Sequence, residues 1–293
     1  MSQSLKADLV LVFITLSWGI TFPLIARAVQ TVSPYWFVSI RFFIASIVLL
    51  PFLCKEIKFT TMHLLKSGAV LGVFNAGAYL AQTMGMKTVD AAHAATITGA
   101  SVIIVPFLLP FFALGKPKIT DVISAVFCLV GLTILTKTIT SHFSLGDGWI
   151  LLCTFFVALS IVYLQKSSTN IKHINLLAFY QITFTFPLPM IIWLFSAEKS
   201  FIQVNLSVVI AVIFCAVVAT SIALLLQTRY QRFTTATRAA MIFLLEPVFG
   251  VFFGCIINND KISWHIIIGT SIIILSILFS IMSAKRDGML CGN

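Results

Sequence analysis

QTMGMKTVDAAHAATITGAS, Gln82 to Ser101, stands 145 positions before QTRYQRFTTATRAAMIFLLE, Gln227 to Glu246, and the two align without a gap. Gln82 falls on Gln227, Thr83 on Thr228, Ala91 on Ala236, Ala94 and Ala95 on Ala239 and Ala240, and Ile97 on Ile242. Self-similarity at a fixed offset marks a duplicated structural unit. Alanine-rich helices also resemble one another by composition alone, so the register gains weight from its flanks, where apolar blocks of similar length surround both segments.

Those blocks run through the whole chain of 293 residues, of which 59% are hydrophobic and 10% charged. So few charges do not cover a soluble particle of this size. Blocks of roughly 18 residues cross ~30 Å of hydrocarbon as a helix, and ten are predicted, at 9–29, 34–53, 64–86, 91–114, 120–138, 148–165, 174–195, 206–228, 235–257 and 264–283. The first reads as a permanent helix, because no small-residue cleavage site follows it.

A polar break at Ser141 to Gly148 separates five spans from five, giving an N-terminal repeat at 1–140, a C-terminal repeat at 146–285 and a tail at 286–293. An odd number of helices per repeat inverts the second copy in the membrane, an architecture of secondary transporters that hold substrate near the midplane between the halves. The expected fold is an all-α integral membrane protein of ten transmembrane helices in two inverted five-helix repeats.

The formal charge of +10 follows this topology and does not require nucleic acid. With the N-terminus inside, Lys6, Lys55, Lys58, Lys66, Lys116, Lys118, Lys166, Lys172, Arg229, Arg232, Arg238, Lys285 and Arg286 face the cytoplasm, whereas Lys87, Lys137, Lys199 and Lys261 lie outside. The positive-inside rule therefore predicts two cytoplasmic termini in the cell (inner) membrane. The six cysteines, Cys54, Cys128, Cys153, Cys215, Cys255 and Cys291, lack metal-ligand or disulfide-framework spacing and read as packing residues. No metal or cofactor is expected.

A charge at the bilayer centre costs ~3 kcal/mol on insertion scales, so an isolated one is a functional hypothesis. Glu246 is the single carboxylate placed so deep, about twelve residues or ~18 Å into its span. Asp8, Asp90, Asp121 and Asp147 stand near helix starts, where the dipole favours them, and Glu56, Glu198, Asp260 and Asp287 are in loops or the tail. Glu246 suits proton coupling, since burial brings a carboxylate towards exchange at working pH, or the holding of a cationic substrate. It equally suits a structural role, paired with Arg41 or satisfying the backbone that Pro247 frees.

Arg41, two turns into the second span, is the charge-partner candidate; it reads as a snorkeller or helix brace, or as a carboxylate binder. Arg27 and Arg238 read as snorkellers. His93, without a second histidine or a nearby carboxylate other than Asp90, reads as interfacial.

Asn75, Tyr79, Gln82 and Met86 share one helical stripe that lipid would reject. The stripe lines a cavity or hydrogen-bonds to a neighbouring helix. Trp18, Thr21 and Phe22 offer a similar mixed surface, as do Ser160 and Tyr163, and their aromatic rings pack or embrace a substrate. Ala91, Ala95 and Gly99, Ala92, Thr96 and Ala100, and Cys215, Ala219 and Ala223 repeat at every fourth position, which lets backbones approach closely. Thr98 and Ser101 then point towards the cavity, Ser101 at the repeat position of Glu246. Pro106, Pro110, Pro187, Pro189 and Pro247 are candidate bending points.

TLSWGITFP (Thr15–Pro23), IRFFIASIVLLPF (Ile40–Phe52), AAHAATITGASVIIVPFLLPFFALGK (Ala91–Lys116) and TRAAMIFLLEPVFGVFFG (Thr237–Gly254) together resemble the EamA-type branch of the drug/metabolite transporter superfamily. The resemblance covers Leu9 to Met282 and implies a transporter, without naming a substrate: such relatives move amino acids, nucleosides, choline-like cations and other metabolites. The sixth span departs from the first, with Trp149 at its outer end and FFVALSIVYLQK (Phe155–Lys166) deeper, so a symmetric aromatic lining is not implied.

The leading expectation is a secondary transporter for a small metabolite of the amino-acid class, working by alternating access as a monomer or homodimer, with protons as a candidate drive. The alternatives are a multidrug exporter of hydrophobic cations, held by Glu246, and a membrane enzyme acting on lipid-linked substrates. The nine acidic residues are dispersed, which disfavours the enzyme. No Walker sequence supports ATP hydrolysis by this chain.

Overall fold

A computed structural model describes residues 2–136, 143–169, 171–196, 203–258 and 264–290. Among these every regular element is a helix. The first repeat comprises α1 (Gln3–Ala28), α2 (Pro34–Leu53), α3 (Met62–Gly85), α4 in two halves (Ala91–Gly99 and Ser101–Leu108) and α5 (Ile119–Thr136). The second comprises α6 (Leu145–Ser168), α7 in two halves (Ile174–Thr185 and Pro187–Phe195), α8 (Leu206–Ala216, a π turn at Val217–Ile222, then Ala223–Tyr230), α9 in two halves (Ala236–Phe243 and Leu245–Asn258) and α10 (Trp264–Leu290).

Nine of these units are long and apolar enough, among the described residues, to cross a membrane; the tenth is the divided α9. The ten predicted spans are all helical, with shifted ends: α1 begins at Gln3, and α10 continues to Leu290, through most of the predicted tail. Lys137, Ser141, Glu198, Lys199, Asp260, Lys261 and Cys291 lie outside the described residues.

Helix starts follow local chemistry. Ser2, Thr61, Asp90, Asn205 and Thr235 each accept a backbone N–H three residues on, the bond an N-cap side chain supplies. Asp90 and Thr235 are 145 positions apart, so α4 and α9 open on equivalent caps. Ser144 and Asp147 form a reciprocal capping box at the start of α6. Outward-facing Phe52, Phe107, Phe111, Ile119 and Leu145 remain exposed, the placement expected where the solvent is lipid.

The repeats interlock. The equivalent helices α5 and α10 pack along one another. A Cβ on Gly131 would lie 2.9 Å from the Gly269 carbonyl, and the Cys128 thiol lies 4.0 Å from the carbonyl of Ile273, its own counterpart 145 residues later. A pseudo-twofold relation therefore passes between these two helices. The equivalent pairs α1 with the second half of α9, and α6 with the second half of α4, also pack across the repeats.

Gly19 permits the α1–α9 contact, because a Cβ there would sit 2.9 Å from both the Glu246 carbonyl and Phe249 Cβ. Cys215, Ala219 and Ala223 are buried, as their spacing predicts. Of the candidate bending prolines, Pro187 stands at the division of α7 and Pro247 near that of α9, whereas α4 divides at Ala100, well before Pro106.

Candidate functional site

The interruptions of α4 and α9 fall at nearly equivalent positions, Ala100 and Leu244. Broken helices in corresponding places of two repeats expose backbone and side chains only where protein or a cavity surrounds them. A cavity does lie there, with a volume of about 100 Å³. One water needs ~10–15 Å³ by the same measure, so the space suits a small solute.

Six repeat-equivalent pairs line this cavity: Tyr79 with Leu224, Gln82 with Gln227, Ala95 with Ala240, Thr98 with Phe243, Gly99 with Leu244 and Ser101 with Glu246. The cavity thus straddles the pseudo-twofold. Trp18, Thr21, Phe22, Arg41, Asn75, Cys153, Ser160 and Pro247 also contribute to its wall.

Two charged residues, Arg41 and Glu246, belong to that wall. Arg41 is 2% exposed, which corrects the snorkelling expectation. Its Nε donates to Thr220 Oγ1 at 2.7 Å and its Nη2 to the Ala219 carbonyl at 3.4 Å, while the guanidinium lies 4.5 Å from the centre of the Tyr79 ring. Trp18 Nε1 donates to the same Ala219 carbonyl at 2.9 Å.

These acceptors belong to the π turn of α8, whose altered register accommodates extra partners for its backbone, a recurrent property of π-bulges. Ser221 Oγ, in the same turn, donates to the carbonyls of Ala216 and Ala45 at 2.9 and 3.1 Å. One irregular turn therefore anchors both Trp18 and Arg41.

Glu246 does not neutralise Arg41 directly. No ion pair within 4.0 Å joins them among the described residues, although the charge of Arg41 still acts on the Glu246 carboxylate across the cavity. A guanidinium has five N–H donors, so the two bonds to α8 leave others unused. A neighbouring amide is also incompletely matched: Asn75 Oδ1 accepts from Ser160 Oγ at 3.0 Å, while Asn75 Nδ2, in a residue only 5% exposed, has no partner. Thr98 Oγ1 is likewise buried without one. Buried unsatisfied polar atoms are uncommon and call for a ligand, water or ion.

All but one of the expected site residues thus come together: Trp18, Thr21, Phe22, Arg41, Asn75, Tyr79, Gln82, Thr98, Ser101, Ser160 and Glu246. Tyr163 does not. Its ring packs edge-on against Phe74 and Phe112, at 5.9 and 6.1 Å, away from the cavity wall. Gln227, Leu224, Phe243 and Thr220 are readable as the repeat partners of Gln82, Tyr79, Thr98 and Asn75, whereas the Ala219 carbonyl has no comparable signal.

Two further expectations need correction. Arg238 is a buried partner of Asp8, whose carboxylate also accepts from Thr234 Oγ1 at 3.2 Å, and not a snorkeller. His93 is not a solitary interfacial histidine: its Nε2 lies 2.7 Å from Asp147 Oδ1.

Comparison with known proteins matches the architecture. The EamA-like transporter family matches residues 5–137 and again residues 144–282, one match per repeat. An "uncharacterized transporter" of Archaeoglobus fulgidus is 30% identical over 276 residues, covering 94% of this chain and 86% of the relative. A protein crystal structure superposes with a TM-score of 0.76 over 96% of this chain and 98% of the other; at 16% identity it shares the fold alone. Ten helices, two repeats and two family matches make this multi-pass membrane protein a transporter of small substrates, and the chain belongs to the EamA-like transporter family.

Proposed function

We propose that the protein moves a small zwitterionic metabolite of the amino-acid class across the cell (inner) membrane by alternating access. The observation that carries this reading is the presence of Arg41 and Glu246 in one cavity with no direct ion pair between them. Each is then available to a ligand of opposite charge. A planar carboxylate matches the unused guanidinium fork, and an ammonium group matches the Glu246 carboxylate. The unpaired Asn75 Nδ2 offers a further donor. An ammonium and a proton compete for one carboxylate, so Glu246 is also the proton-coupling group of this proposal.

A hydrophobic cation fits less well, because Arg41 brings a permanent positive charge to the same wall. A complete cavity formed by two repeats of one chain supports a monomer as the working unit. The Lys and Arg distribution supports cytoplasmic termini; impermeant labelling of single cysteines placed at Lys137 and Lys285 tests that orientation.

The function is tested by flux of labelled amino acids, nucleosides and quaternary amines into proteoliposomes, with and without a pH gradient. Native protein is compared with Glu246→Gln at matched size-exclusion profile. Gradient-accelerated amino-acid flux in the native protein, losing its acceleration in the variant, is the expected result. Equal transport by both proteins under every gradient would refute the role of Glu246, and quaternary-amine flux alone would replace the amino-acid reading.

A further inference from the structure

His93 and Arg238 stand 145 positions apart, so they occupy the same place in the two repeats. Each lies three residues beyond the N-cap of a broken helix, Asp90 for α4 and Thr235 for α9. Each also reaches an acid near the start of the other repeat's first helix. His93 Nε2 lies 2.7 Å from Asp147 Oδ1 on α6, and Arg238 pairs with Asp8 on α1. All four residues are at most 9% exposed. Because the repeats are inverted, the two pairs tie the halves together at opposite faces of the membrane.

The chemistry of the pairs differs. Arginine is always charged, whereas histidine is the side chain whose charge ordinarily changes between pH 5 and 8. Asp147 is held in place independently, since its Oδ2 accepts from both the backbone N–H and the hydroxyl of Ser144 at 2.7 Å. A fixed anion therefore faces a titratable cation on one side and Asp8 faces a permanent one on the other.

We propose that His93 and Asp147 form a proton-binding site separate from Glu246, and that the bound proton latches the face on which α4 begins. With His93 protonated, the cross-repeat pair is charge-assisted and the face is held closed; as pH on that face rises, the charge is lost and the face opens more readily. The pair formed by Arg238 and Asp8 gives the opposite face a latch without this response. Among the described residues, the charged groups on the elements around His93 include Asp90, which caps its own helix, Asp147 on α6 with Lys166 at that helix's other end, Lys87 after α3, exposed Arg27 at the end of α1, Asp121 at the far start of α5, and Glu246 on α9 in the cavity towards the far end of α4. The proposal is independent of which solute is carried.

Cys153, which lines the cavity, supplies the readout. In full-length protein with the other five cysteines replaced, reconstituted in known orientation, an impermeant methanethiosulfonate is applied from the α4-start face. Labelling is compared with that of His93→Arg at each pH, which cancels the thiol's own ionisation. Raising pH on that face from about 5 to about 8 is expected to increase the ratio about tenfold, equivalent to ~1.4 kcal/mol; changing pH on the opposite face leaves it unaltered.

Asp147→Asn, lacking the fixed anion, is expected to label fast at every pH. Arg238→His is expected to confer pH dependence from the opposite face. A ratio that stays constant with pH, an equal response from both faces, or slow labelling of Asp147→Asn would overturn the proposal. The first and third of these outcomes stand even if Arg238→His does not fold.

Discussion

The broken helices α4 and α9 start on equivalent caps, divide at nearly equivalent points and contribute equivalent positions to one cavity, yet their chemistry differs at two places. The cavity position holds Ser101 in α4 and Glu246 in α9, and the terminal position holds His93 in α4 and Arg238 in α9. A duplicated backbone frame has thus been given a hydroxyl and a histidine in one half, and a carboxylate and an always-charged arginine in the other. Symmetry explains where the cavity lies, and the departures from symmetry give its two sides different chemistry.

The largest expected effect breaks the terminal comparison. Arg238→Ala leaves Asp8 buried without its cation, and loss of one member of a buried pair costs about 3–5 kcal/mol. Thermal unfolding in detergent should therefore show a much lower midpoint for Arg238→Ala than for His93→Ala, whose partner Asp147 retains its Ser144 bonds. Equal losses would mean that the two ends are held equivalently.

At the cavity position, Glu246→Gln should weaken amino-acid binding by roughly 10- to 150-fold, corresponding to the ~1.5–3 kcal/mol of a hydrogen bond to a charged group. Ser101→Ala, in the equivalent place, should change affinity by about twofold or less. Binding measured by scintillation proximity on matched protein separates them, and a larger effect at Ser101 would place the ligand on the other half of the site.

Packing between the repeats supplies a third contrast. Gly19→Val puts side-chain atoms where a Cβ already comes within 2.9 Å of the Glu246 carbonyl, so overpacking should cost about 1–3 kcal/mol and displace Glu246. Gly250→Ala meets, among the described residues, the Gly19 carbonyl at 3.5 Å, an ordinary contact, and should be nearly neutral. Unfolding midpoints of the two variants would reveal whether close approach on the α1 side governs the contact.

Much of this organisation is readable in the chain because lipid makes the rules strict. Apolar length locates the spans, an isolated deep carboxylate identifies Glu246, and the spacing of Asn75, Tyr79 and Gln82 places them on one face. The pairing of Asp8 with Arg238 joins residues 230 positions apart and leaves no local pattern. The π turn of α8 is equally silent, since VVATSI differs little from ordinary apolar helix, and its importance comes from the side chains of Trp18 and Arg41 that reach it. Tyr163 was misplaced for a different reason: it lies near Ser160 along the helix, but aromatic neighbours on α3 and after α4 draw its ring aside.

The smallest effect tests how the cavity keeps an amide poised. Ser160 Oγ donates to Asn75 Oδ1, which fixes the amide with Nδ2 as its unmatched end. Ser160→Ala removes this bond, worth about 1 kcal/mol, and frees the amide to turn. If Nδ2 receives the substrate, affinity should fall roughly fivefold, and Ser160→Thr, which retains a hydroxyl, should recover most of it while Asn75→Ala shows no further response to Ser160→Ala. Additive losses in that double variant would instead mean that Ser160 contacts the substrate itself. The cycle distinguishes these arrangements because a residue acting through Asn75 has nothing left to orient once the amide is gone.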